Sequence, residues 1–132
     1  TVSSGAVSSA VAVGAIVGLP YDAQWQSAKL GHSPSPIQTA LTQHKIISHL
    51  GLILAYAHPK GLQFGPDFDN LDDMPEIEEG TTVPANTIRT AYDADQIVFP
   101  GTWTTDSRLC LQARAPRPVT VLAAVIDMEV SF

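Results

Sequence analysis

Seven of the thirteen acidic residues in this 132-residue chain fall within thirteen positions: Asp67, Asp69, Asp72, Asp73, Glu76, Glu78 and Glu79. Hard oxygen donors spaced as Asp67-x-Asp69-Asn70-x-Asp72-Asp73 are the kind a calcium loop uses. The EF-hand pattern fails, because Leu71 holds its fifth position and Asp72 replaces the required glycine. The cluster therefore reads as a solvated acidic loop, or as one that meets arginines across a subunit interface. Paired carboxylates for glycoside hydrolysis would need an aromatic platform and a raised pKa, and the sequence signals neither. His32, His44, His49 and His58 have no HExxH spacing, and the odd interval between His44 and His49 puts them on opposite faces of a regular strand. Serine, histidine and aspartate are all present, but no GxSxG elbow organises them. The one cysteine, Cys110, excludes an internal disulfide and a CxxC zinc site; within RLCLQA it reads as a small buried side chain with a raised pKa. No GxxxxGK or GxGxxG loop occurs. Tyr21, Trp25, Tyr56, Phe64, Phe68, Phe99 and Trp103 are expected in a core or interface rather than in a ligand platform. No catalytic residue, metal or cofactor is implied.

The element that must position the acidic loop is the apolar run just before it. Ile46, Leu50, Leu52, Leu54 and Tyr56 share one parity, and Gly51 argues against a helix. This predicts a strand somewhere in residues 37–56, in one piece or two, ended by the turn chemistry of His58, Pro59, Lys60 and Gly61. Upstream, residues 1–10 read as a linker or edge segment, residues 11–19 as a strand whose small residues admit another backbone, and residues 21–30 as a strand anchored by Trp25. Residues 31–36 read as a loop. Downstream, residues 83–95 read as irregular, with turns at 84–86 and 93–95, and residues 96–99 as a short strand. Residues 102–104 are expected to resume an extended path. Residues 107–113 and 119–132 alternate as strands, the second starting buried on both faces. The stiff Ala115-Pro116-Arg117-Pro118 stretch between them suggests a wide hairpin.

These readings give one all-β domain over residues 11–132, an antiparallel β-sandwich-like fold of six to eight strands with long loops. Composition agrees: 45% of residues are apolar, 15% are charged, and there are ten prolines and nine glycines. So few charges suggest burial against other subunits or domains. The net charge of −6, with scattered bases, argues against a general nucleic-acid-binding surface; it leaves room for proximity to DNA, because an acidic wall repels the duplex, as a conduit can require. No run is long enough for a membrane span, and the apolar N-terminal stretch lacks a signal peptide's basic start. A chain opening on Thr1 is expected to be part of a longer protein.

Four pieces of the chain, in order, carry a resemblance that adds to this reading. They are residues 17–30 (VGLPYDAQWQSAKL), 39–54 (TALTQHKIISHLGLIL), 61–69 (GLQFGPDFD) and 104–125 (TTDSRLCLQARAPRPVTVLAAV). Together they resemble the C-terminal region of the tail nozzle proteins of short-tailed bacteriophages, also called tail tubular protein B. Two departures accompany the match: His44, Lys45 and His49 stand where relatives are more basic, and the large upstream part of the full-length proteins is missing. The resemblance implies a non-enzymatic virion structural protein of the phage tail, forming a homo-oligomeric, hexameric ring. Its implied partners are the tail adaptor ring, the tail fibres or spikes, and genomic DNA that passes through the lumen without sequence-specific binding. Membrane insertion is not implied. The residues singled out are Gly65 and Pro66, which would shape the loop, with Phe68 beside them, and Asp67 and Asp69, which would pair with donors locally or on the next subunit. Arg108 is the candidate donor. The alternatives are a carbohydrate-binding or depolymerising module of a tail fibre and a calcium-dependent adhesion domain.

Overall fold

The computed structural model describes residues 2–3, 6–7, 17–31, 41–84 and 87–131. The described residues form eleven strands and no helix, so the fold is all-β. Six strands have four or more residues: β3 (Tyr21–Gln26), β4 (His44–Ala57), β5 (Leu62–Gly65), β9 (Arg89–Val98), β10 (Cys110–Ala115) and β11 (Thr120–Ser131). Five are two-residue ladders: β1 (Val2–Ser3), β2 (Ala6–Val7), β6 (Asp72–Asp73), β7 (Ile77–Glu78) and β8 (Thr81–Thr82). β1 pairs with β2 inside the stretch expected to be a linker. The strand expected over residues 11–19 and the loop over 31–36 fall mostly outside the described residues, and residues 17–20 are not strand.

Two antiparallel sheets carry the core. One has the order β3-β10-β5-β6 and the other β11-β4-β9. The chain passes between them from β3 to β4, from β4 to β5, from β6 to β9 by way of the β7–β8 ladder, from β9 to β10 and from β10 to β11. The expected wide hairpin at residues 115–118 is therefore an inter-sheet crossing, because β10 and β11 belong to different sheets. Leu62, Phe64 and Leu111 from one sheet join Ile47, Leu50, Leu52, Leu54, Ala94 and Ile97 from the other in a single cluster. Phe64 stacks on Phe99 across the interface, with ring centroids 6.0 Å apart. Stacked sheets of this kind lie about 10 Å apart, with their inner side chains excluding water.

Regular alternation alone would not put these residues inside. Ile47 and Leu50 are three apart, yet both are buried, because Ser48 is an extra residue on β4 between the pairs Ile47↔Met128 and His49↔Asp127. One extra residue turns every later side chain to the other face. The same slip occurs on β9, where two residues, Asp95 and Gln96, stand opposite Gly51 alone. It lets Ala94 and Ile97 both face inward, and Gln96 takes a φ of 51° there. Residues 93–95, expected to be a turn, thus lie inside a ten-residue strand. On β11, Leu122 is the extra residue. The Ser48 slip also places His44 and His49 on the same, outer face, with Ile46, Glu129 and Asp127.

The inner face of β4 ends in a charge. Lys45 has 0% exposure, and its Nζ donates to the carbonyls of Leu41 (3.3 Å), Gln43 (3.1 Å) and Thr105 (2.6 Å). Its backbone pairs with Thr104 in both directions, at 2.9 and 3.0 Å, and Ser107 Oγ donates to its carbonyl at 3.2 Å. Burial lowers the lysine pKa and nearby Lys29 adds to that, while Asp106 opposes it. A buried ammonium persists only when carbonyls replace its water, and here they tie residues 41–45 to residues 104–107. Residues 102–104, expected to be extended, contribute only the Lys45↔Thr104 bridge. Lys45→Met keeps the aliphatic stem and removes the donor. It is expected to cost about 1.5–3 kcal/mol in urea unfolding, and Lys45→Arg is not expected to restore it, because a planar fork does not fit three converging carbonyls.

Candidate functional site

The segment 65–70 is built on a constraint at its first residue. Gly65 ends β5 buried, and a Cβ there would sit 2.0 Å from the Asn70 carbonyl oxygen, so the loop returns where only glycine leaves room. Pro66 follows, and its carbonyl accepts the Cys110 thiol at 3.6 Å. Asp67 then organises the turn. Its Oδ1 accepts the backbone N–H groups of Asp69 and Asn70, each at 2.9 Å, and the Asn70 amide closes on both carboxylate oxygens at 2.9 and 3.0 Å. This is aspartate holding its own downstream backbone, as in an Asx turn. The Asn70 amide and the Asp69 N–H hold the Asp67 carboxyl below its ordinary pKa. Phe68 is half-buried, and Asp69 is exposed.

These neighbours sort the residues singled out in sequence. Gly65, Pro66, Asp67, Phe68 and Asp69 share one loop, and Asp67 is bonded locally. Among the described residues the Asp69 carboxylate accepts no hydrogen bond. Arg108 is not the donor for this loop: its Nε donates to Asp106 Oδ1 at 2.9 Å and its Nη1 to the Ser27 carbonyl at 3.3 Å. The local Asp106 outcompetes the more distant loop because it lies two residues away. Cys110 is buried, unpaired with another cysteine, and pushed up in pKa by that burial, which leaves it a poor nucleophile. No group of three His, Cys, Asp or Glu residues suited to a metal ion occurs among the described residues.

Beyond the loop, the acidic stretch turns back along β9 and forms one side of a trough of about 980 Å³. Asp72, Asp73, Glu78, Glu79, Asp93 and Asp95 line it, with Phe64 and Ile97 at its base. A clasp that sequence reasoning missed ties its wall down. Arg89 Nη1 donates to Glu78 Oε1 at 3.0 Å, the Tyr92 hydroxyl donates to the same oxygen, and the guanidinium lies 4.3 Å from the centre of the Tyr92 ring. Arg89 holds the Glu78 carboxyl below its ordinary value, and burial next to Glu78 pushes the Tyr92 phenol up to about 12. The available signal was Arg89 itself, the first base after the run of acids. Such a surface repels polyanions and accepts basic groups.

No family model matches the chain, and no curated protein matches its sequence. Among the described residues, no helix is long and apolar enough to cross a membrane.

Two outcomes follow from these contacts. Gly65→Ala is expected to lower stability by about 1–3 kcal/mol in urea unfolding, whereas Asp69→Ala, which removes no local bond, leaves it unchanged. The Glu78 clasp is expected to respond to acid. Because the folded Glu78 pKa lies below its unfolded value of 4.5, its contribution is fully present above that pH and is lost as pH falls through the folded value. Melting temperatures of the wild type and Glu78→Gln, compared across a pH series, should differ at neutral pH and converge in acid.

Proposed function

We propose that this chain is a structural component of a short-tailed phage's tail nozzle. Copies would form a sixfold ring in the virion, bound the path by which the DNA leaves, and present a docking surface for fibres or spikes below the adaptor ring. The observation that carries the reading is the ordered series of four sequence pieces, with GLQFGPDFD at its centre. Two physical features support it. The loop in that central piece keeps Asp67 for its own turn and leaves the Asp69 carboxylate exposed without a local donor, as a contact reserved for a neighbour would be. The carboxylate-lined trough and the net charge of −6 give a surface to which a polyanion does not stick.

Electron microscopy and native mass spectrometry of the purified chain test the reading. Ring-shaped oligomers near six copies are expected. Asp69→Ala should weaken assembly while leaving the melting temperature unchanged. A chain that stays monomeric across the accessible concentration range would remove the proposal, and release of reducing ends from polysaccharide would favour a fibre module instead.

A further inference from the structure

The first half of β11 has the composition of a central strand and the surroundings of an edge. Val121-Leu122-Ala123-Ala124-Val125-Ile126 carries no charge, as strands covered on both faces do. Yet among the described residues β11 pairs only with β4, at the end of its sheet. Val121 is 37% exposed, and Leu122 and Val125 are each 64% exposed. Val121 and Ala124 line an apolar groove of about 460 Å³ toward β3, where Trp25 stands half-exposed. Ala123 and Val125 lie on the outer face with Ile53 and Gly51. No lysine, arginine or proline guards the strand against edge pairing.

Charge selects what covers this edge. The opposite flank is lined by Asp72, Asp93 and Asp95, and seating it on β11 would bury carboxylates against apolar side chains without donors. Two β11 edges that meet each other bury none in their centre. The nearby charges are split between the ends of the strand. Asp127 and Glu129 occupy its far end, whereas Arg117 lies on the turn that leads into it. That turn stays in line with the strand, since the His58 N–H donates to the Pro118 carbonyl at 2.8 Å and extends the contact with β4. Among the described residues, Arg117 and Glu129 take part in no ion pair, and Asp127 faces only His49, at 3.8 Å. A parallel pair of β11 strands would set acid on acid, while an antiparallel pair sets each acidic end beside the other's basic turn. Directly opposed residues must share a face, and Ala124 opposite its own copy meets that condition. Val121 then falls against Ile126, Thr120 against Asp127, and the Arg117-Pro118 turn against Glu129 and Val130, with Leu122 again the extra residue.

We propose that the outer edge of β11 is the docking edge for a second copy of this chain, joined antiparallel about a two-fold axis at Ala124, so that two three-stranded sheets become one continuous sheet. Glu129 of each copy meets Arg117 of the other, once at each end of the joint. A contact that uses the same patch on both partners neither closes a ring nor needs one, so this inference stands independently of the nozzle reading.

Sedimentation velocity and native mass spectrometry of the full chain test it. A dimer is expected. Arg117→Glu alone, or Glu129→Arg alone, should raise its dissociation constant about tenfold or more, because each sets like charges together. The double variant, Arg117→Glu with Glu129→Arg, should restore the wild-type constant. In a Cys110→Ala background under mild oxidation, Ala124→Cys should form a disulfide between chains, whereas Val98→Cys, on the opposite flank, should not. A chain that is monomeric at every accessible concentration, a dimer indifferent to the charge reversals, or equal bridging at both cysteines would overturn the inference. Rings that form without the Ala124→Cys bridge would overturn it and leave the nozzle reading standing; bridged dimers without rings would do the reverse.

Discussion

A strand shows alternate side chains to opposite faces, and a sandwich tolerates apolar residues on only one of them. The fourteen residues of β4 do not alternate perfectly, so the fold depends on the slips that restore the match. Ser48 on β4, the Asp95–Gln96 pair on β9 and Leu122 on β11 each absorb one residue. With them, Ile47, Leu50, Leu52, Leu54, Ala94 and Ile97 face one interior. Without them, half of that set would turn to water, at a loss of about 1.5–3 kcal/mol for each large side chain.

The core so formed determines what its margins do. At one end of β4, the inward face runs out of apolar residues, and Lys45 fills the place by exchanging water for three carbonyls. On the β6 and β9 side, the sheets part around carboxylates, whose mutual repulsion is relieved by Arg89 and by solvent. On the β3 and β11 side, they part around apolar side chains. The two flanks of one sandwich thus differ in kind: one is lined by carboxylates, the other by apolar side chains and no charge.

The 65–70 loop sits where β5 leaves the core toward the acidic flank, and its shape comes from two short-range facts. Gly65 has no space for a side chain beneath Asn70, and Asp67 satisfies the backbone that follows it. Such a loop is rigid for local reasons, which lets it present Asp69 and Phe68 in a constant geometry. Asp69, which accepts no hydrogen bond among the described residues, lines a shallow pocket with Asp67 and Asp72.

Much of this was legible in the amino-acid order, because it depends on neighbours within a few residues. The all-β class, the burial of Cys110, the glycine and aspartate of the loop, and the strand character around Leu50–Leu54 all rest on local parity and turn chemistry. The slips were not legible: a bulge has no strong sequence mark, so residues 93–95 looked like a turn and His44 and His49 like residues of opposite faces. Nor could sequence show that β10 and β11 part into different sheets, that Trp25 stands at an open flank, or that Arg108 turns to Asp106 while Arg89 takes Glu78. Pairing partners are chosen among strands far apart in the chain, by which combination buries the most apolar surface, and only the assembled sheets make that choice.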